Sequence, residues 1–165
     1  MTKKDPLLFV TRSGILVQVP RRLLHTFKEI FMEECYLHGL EFDVPDHPVI
    51  IDIGANAGYF TLFASSRFPH SKILAFEPIL SNFKLLEINQ NLNRHRQITS
   101  IQKAVAGHSG EVTMMLGDYY DNFSTTAHIV EGDHGRDKCQ AVKVPCVTIQ
   151  EIFDEYKLAQ QSKVF

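Results

Sequence analysis

The sequence predicts an α/β domain built on a parallel sheet, and three observations predict it. Short apolar runs alternate with segments of helical period from Val49 to Val105. The first run breaks into a Gly-x-x-x-Gly turn, Gly54-Ala55-Asn56-Ala57-Gly58. The second ends in Phe76-Glu77-Pro78. An acidic residue at the tip of the second strand, just past a glycine turn, suits gripping a ribose. That marks a nucleoside-cofactor domain.

The elements follow in order. Leu7–Val10 and Ile15–Val19 flank Arg12-Ser13-Gly14 and predict a β-hairpin, which Pro20 stops. From Arg21 to about His38, Leu23, Leu24, Phe27, Ile30, Phe31 and Cys35 recur at helical spacing, and Gly39 ends the helix. Residues 1–48 therefore read as a hairpin and helix that cap the domain of 49–165. Asp43 to Pro48 is a turn-rich link. Val49–Ile53 is apolar on both faces apart from Asp52, as in a buried parallel strand. Tyr59 to Arg67 is a short helix, Lys72–Phe76 the second strand, and Ser81 to about Asn93 a second helix with Phe83, Leu86 and Leu92 on one side. Ile98–Val105 is the third strand, and the β-α-β order implies right-handed crossovers. After Gly107 the alternation stops. Glu111–Leu116 and Ala141–Val147 read as strands, separated by a long polar stretch with Tyr119, Tyr120 and Phe123. Thr148 and Glu151 have capping-box spacing and open a helix to about Leu158.

Bulk properties exclude several classes. A chain of 165 residues holds one domain, and its 44% hydrophobic content with 12 Phe suffices for a core. A formal net charge of -2 disfavours nucleic acid or an anionic membrane as partner, since both call for a basic patch. Cys35, Cys139 and Cys146 are an odd number without metal-like pairing, and read as reduced thiols of a cytoplasmic protein. The apolar stretch after Met1–Pro6 is too short for a signal peptide, and no window approaches the ~20 apolar residues of a membrane span. Asp133-His134 with Cys139 lacks the spacing and ligand count of a zinc site, so no metal is expected.

The glycine turn selects the cofactor. A dinucleotide turn registered on Gly54 would need glycine at 54, 56 and 59, and the chain has Asn56 and Tyr59. Asn56 would crowd a pyrophosphate. A Gly-x-Asn-x-Gly turn brings backbone close to a ligand without phosphates, of which S-adenosylmethionine is the common one. On that reading Gly54 lets the amino-acid part of the cofactor pass, Asn56 and neighbouring N–H groups hold its carboxylate, and Glu77 accepts from both ribose hydroxyls. Pro78 and Ile79 wall the adenine. A Gly-x-x-x-Gly alone is often only a tight strand-to-helix turn, and it is the combination with Glu77 and the polar Asp52 that favours a cofactor site.

These residues resemble a known family. Ile51 to Thr61, then Phe76-Glu77-Pro78 followed by Asn82-Phe83 and Leu86, then Lys103-Ala104-Val105, are similar to the FkbM-type methyltransferases over about Val49 to Tyr156. The resemblance implies a Rossmann-like S-adenosylmethionine-dependent sheet, O-methylation of a small-molecule or glycan acceptor, and a cofactor site lined by Asp52, Gly54, Ala55, Asn56, Gly58, Glu77, Pro78, Ile79 and Ala104. It names no catalytic base. In the family a strand with an Asp-x-Glu-Gly-Ala-Glu motif follows the region of Thr148–Leu158, and here the sequence given stops at Phe165. The expectation is an incomplete sheet with Val49–Ile53 as an apolar edge prone to self-association. The alternative function is a catalytically inactive cofactor-binding or assembly fragment.

Overall fold

The structure is a computed structural model that describes residues 5–33, 43–116, 128–129 and 140–158. Val49–Ile53 (β3), Lys72–Phe76 (β4) and Gln97–Ile101 (β5) form a parallel sheet in the order β3-β4-β5. Tyr59–Arg67 (α2) connects β3 to β4, and Leu80–Leu92 (α3) connects β4 to β5. The register aligns Ile50, Ile73 and Ile98 as one cross-strand row, and Ile51, Leu74 and Thr99 as the next. Because side chains alternate along a strand, these rows face opposite sides. The Ile50 row packs with Leu62 and Phe63 of α2 and Leu85 of α3. Val49, Leu74 and Phe76 instead meet Ile152 and Leu158, brought there by Ile149–Glu155 (α4) and the residues after it. Both faces of the sheet are thus covered, which is why its strands read as continuous apolar runs. Among the described residues β3 pairs only with β4.

The hairpin forms as expected, with Leu7–Val10 (β1) antiparallel to Leu16–Val19 (β2). It is followed by a 3-10 turn, Arg21–Leu23, and a helix, Leu24–Phe31 (α1), whose C-cap is Met32. The helix ends at Phe31, short of the expected His38, since the chain already turns at Met32 and bends at Glu33; His38, Gly39 and Cys35 lie outside the described residues. Ile15, Val17 and Val19 are fully buried and join the same cluster as α2 and the sheet. Phe27 stacks on Phe9 at 4.7 Å between ring centroids and meets Tyr59 edge-on at 6.0 Å. The front section is a layer packed outside α2 and α3.

What holds that layer is a pair of asparagines. Asn93 Oδ1 accepts from Leu16 N at 3.0 Å, and its Nδ2 donates to Leu16 O at 2.7 Å. Asn89 repeats the pattern on Gln18, accepting from its N at 2.7 Å and donating to its O at 3.3 Å and to Ala57 O at 2.8 Å. Residues four apart on a helix rise about 6 Å. Residues two apart on a strand rise about 6.6–6.8 Å. The two carboxamides therefore match the free edge of β2 and act as its missing neighbour strand. The apolar pattern of α3 is corrected accordingly. Phe83 and Leu92 are only half-buried, and the buried face is Asn82, Leu85, Leu86, Asn89 and Asn93.

The third strand also differs from expectation. Ile98–Val105 splits into β5 and Ala104–Val105 (β6), because a tight turn with Lys103 N bonded to Ile101 O at 3.0 Å redirects the chain. β6 joins a second sheet of order β6-β9-β7-β8, made with Gly110–Leu116 (β7), His128–Ile129 (β8) and Gln140–Val147 (β9). The stretch read as irregular thus includes a strand, β8, antiparallel to β7. Tyr119, Tyr120, Phe123, Asp133, His134 and Cys139 lie outside the described residues. The Thr148–Glu151 capping box is present, with Glu151 N donating to Thr148 Oγ1 at 3.1 Å.

Replacing Asn89 or Asn93 by Ala should each lower unfolding free energy by about 1–3 kcal/mol, because backbone groups of β2 are left unpaired. Urea unfolding checks this. An Asn93→Ala loss confined to a few tenths would mean that the strand-like pairing contributes little.

Candidate cofactor site

The turn after β3 explains its own sequence. Gly54, Asn56 and Gly58 alternate as left-handed residues, with φ of 77°, 51° and 80°. Glycine enters that region without penalty, and asparagine is among the few side chains that tolerate it. Gly54 N and Ala55 N both donate to Phe76 O at 2.9 Å, fixing the turn to the last carbonyl of β4. Gly58 has a second requirement. A Cβ there would lie 2.5 Å from Leu86 Cδ1, so the glycine allows α3 to approach the turn. Gly54 differs, since a Cβ on it would meet nothing within 4 Å.

Two buried carboxylates anchor the turn from either side. Asp52 is 8% exposed, and Thr61 on α2 donates to its Oδ2 through the hydroxyl. Burial pushes the Asp52 carboxyl up, and bonds from the Thr61 hydroxyl and N–H hold it down. α2 begins at Tyr59 after Gly58, which offers no side-chain cap, and Asp52 takes that place by accepting from the Thr61 hydroxyl and N–H in the first turn. Glu77 is 4% exposed. Its Oε2 accepts from Asn56 N at 2.8 Å, and its Oε1 from Ile79 N at 2.8 Å and Asn82 Nδ2 at 3.4 Å. Burial raises the Glu77 carboxyl, the three donors lower it, and the Asp52 charge raises it.

Gly54, Asn56, Glu77, Pro78 and Ala104 come together around a shallow depression of about 150 Å³ at the C-terminal end of β3 and β4. Ile53, Asn82, Lys103, Val105, Met114 and Ile129 complete it. The other sequence-selected residues stand apart from its wall. Asp52 lies behind the turn, Gly58 sits against Leu86, Ala55 is buried with Ala75 and Leu86, and Ile79 faces a neighbouring cleft. The Asn56 N–H, read as a donor to the cofactor carboxylate, donates to Glu77. Met114 and Ile129 were missed because the second sheet carries them in from far along the chain. Asn82 had a signal, its place five residues after Glu77 on the face of α3 toward the turn. Among the described residues no three His, Cys, Asp or Glu gather as a metal site.

A parallel sheet with a glycine turn at the C-terminal end of its first strand and a carboxylate at the end of its second makes this an α/β protein whose candidate ligand site lies at the C-terminal ends of its strands. Comparison with known sequences narrows this. The chain belongs to the FkbM methyltransferase family, whose domain matches residues 52–161. It is 30% identical over 117 residues to "Methyltransferase sdnD" of Sordaria araneosa, covering 71% of this chain and 43% of that protein. It is 37% identical over 105 residues to "31-O-demethyl-FK506 methyltransferase FkbM" of Streptomyces tacrolimicus, covering 58% of this chain and 39% of that protein. "Methyltransferase 1" of Beauveria bassiana is 34% identical over 96 residues, or 56% of this chain and 35% of that protein. The chain thus spans less than half the length of these relatives.

The two outer glycines should respond differently to alanine. Gly58→Ala should lower the melting temperature more than Gly54→Ala, since it adds a clash with Leu86 to a left-handed strain of about 1–2 kcal/mol. Thermal unfolding of both variants checks this. Equal losses would show that Leu86 adjusts freely.

Proposed function

We propose that this chain forms the cofactor-binding part of an S-adenosylmethionine-dependent O-methyltransferase acting on a small-molecule or glycan acceptor. The observation that carries the reading is the open side of Gly54 on the depression, with the Glu77 carboxylate in the same wall. A Cβ at Gly54 would stand where a ligand would pass. Family membership supports the transfer of a methyl group. The name of the Streptomyces relative, a 31-O-demethyl-FK506 methyltransferase, points to an oxygen acceptor in that protein.

S-adenosylmethionine, when bound, supplies an electrophilic methyl group on a sulfonium. The chain's own residues would bind and orient. Glu77 has about four acceptor directions and uses three within the chain. One remains at Oε2, which suits a single ribose hydroxyl. Pro78, Ala104 and Met114 offer apolar surface for an adenine ring. Gly54 clears backbone for the amino-acid part. Asp52 and Thr61 hold the turn and α2 in register so that these groups stay aligned. The rate would come chiefly from such positioning. The base that would deprotonate a hydroxyl acceptor is not among the groups gathered here.

A second reading, that of a non-catalytic piece that associates through β3, is favoured by one observation. Ile53, at the end of a strand that among the described residues is paired on one side only, is 55% exposed. No helix among the described residues is long and apolar enough to cross a membrane. A cytoplasmic location belongs to the same proposal.

Calorimetry separates these readings from nicotinamide chemistry. S-adenosylhomocysteine should bind and raise the melting temperature, and NAD should do neither. Glu77→Ala should weaken S-adenosylhomocysteine by about tenfold or more, the scale of a lost charge-assisted hydrogen bond. Stabilisation by NAD alone would overturn the methyltransferase reading, and unchanged affinity in a folded Glu77→Ala protein would remove Glu77 from the site.

A further inference from the structure

The starts of β3 and β4 bring two histidines together. The parallel register pairs Val49 with Lys72, and Lys72 N donates to Pro48 O at 2.9 Å, so the two segments already run side by side before the strands begin. Continued back by two residues, that register sets His47 opposite His70. Neighbouring strands lie about 4.7–4.9 Å apart. The two imidazole rings accordingly stand 5.2 Å apart between centroids, tilted by 45°. Prolines stiffen both positions. Pro48 follows His47 and restricts it to extended backbone, and Pro69, with its φ fixed, precedes His70.

Both histidines are exposed, and neither makes a hydrogen bond or ion pair with a described residue. Their spacing is that of two imidazoles on one metal ion. Zinc binds imidazole nitrogen at about 2.0–2.1 Å with tetrahedral angles, which puts two bound ring centres about 5 Å apart. Exposed rings turn about χ2 without moving packed atoms, so one nitrogen of each can point at a common centre. The surrounding charge also suits a cation. Asp46 precedes His47 in the same turn and is exposed. Arg67 and Lys72, the cations nearest His70 in sequence, lie over aromatic rings, Arg67 over Phe63 at 5.4 Å and Lys72 over Tyr156 at 5.5 Å.

We propose that His47 and His70 form a binding site for a divalent transition ion of the zinc class, with water in the remaining coordination positions. Imidazole nitrogen suits zinc, nickel and copper, whereas magnesium and calcium prefer oxygen. Among the described residues no group of three His, Cys, Asp or Glu forms here, so the site is open and its affinity modest. The ion ties the turn before β3 to the turn before β4. It lies at the N-terminal ends of these strands, about 20 Å of extended chain from the cofactor depression at their C-terminal ends. The site therefore owes nothing to the methyltransferase reading.

The test is calorimetric titration of the untagged, chelator-treated protein with zinc chloride and with magnesium chloride. Zinc should bind in the micromolar range, and magnesium should not. His47→Ala and His70→Ala should each weaken the binding of one zinc ion per chain at least tenfold. Saturating zinc should raise the melting temperature of the unaltered protein more than that of either variant. A second readout needs no variant. In NMR spectra the imidazole signals of His47 and His70 should shift together, with one midpoint in zinc concentration. Absence of zinc binding, an affinity unchanged in either variant, or separate midpoints for the two imidazoles would each overturn the assignment.

Discussion

The site depends on one buried carboxylate. Glu77 follows the last residue of β4, and it is bound to the N–H of Asn56 in the turn after β3 and to the N–H of Ile79 at the start of α3. Taking a carboxylate out of water is costly unless donors replace the water. Here three donors do, and the two backbone N–H groups among them, of Asn56 and Ile79, lose a strong acceptor if the carboxylate is absent. The same group therefore fixes two strand-to-helix connections with respect to each other. The left-handed φ at Gly54, Asn56 and Gly58 then follows, because the turn must present the Asn56 N–H to Glu77 while its preceding N–H groups reach Phe76 O.

Asp52 works on the other side of the turn in the same way. A polar side chain in a buried strand would be a liability alone, but its bond to Thr61 converts it into a brace between β3 and α2. α3 has a third set of polar contacts. Its buried face carries Asn82 toward Glu77, and Asn89 and Asn93 toward the hairpin. One helix thus links the turn after β3 to the front layer. The hairpin is held by carboxamides along one edge and by Ile15, Val17 and Val19 beneath.

Much of this was legible in the sequence, and the reason is periodicity. β3, α2 and β4 match the expected ranges because continuous apolar runs and a glycine turn have few other interpretations. The face of α3 was misread because its buried positions carry three asparagines, and apolar periodicity cannot register a helix that pairs with a strand edge. The break between β5 and β6 went unseen because Gln102 and Lys103 interrupt the apolar pattern no more than Ser100 does. Of the residues that line the depression, Gly54, Asn56, Glu77 and Pro78 were selected from local motifs and Ala104 from the family resemblance, whereas Met114 and Ile129 arrive through the pairing of β7 and β8. The two backbone donors to Glu77 were invisible for a similar reason, since backbone N–H groups leave no trace in residue type.

The most direct test of the Glu77 clamp is a pH titration followed by the backbone amide resonances of Asn56 and Ile79. A carboxylate that binds both amides moves both signals when it gains a proton. The account predicts that the two titrate together, with one midpoint above the ordinary glutamate value of about 4.3, because burial is the largest influence on this group. Separate midpoints, or a shared midpoint at or below the ordinary value, would contradict it.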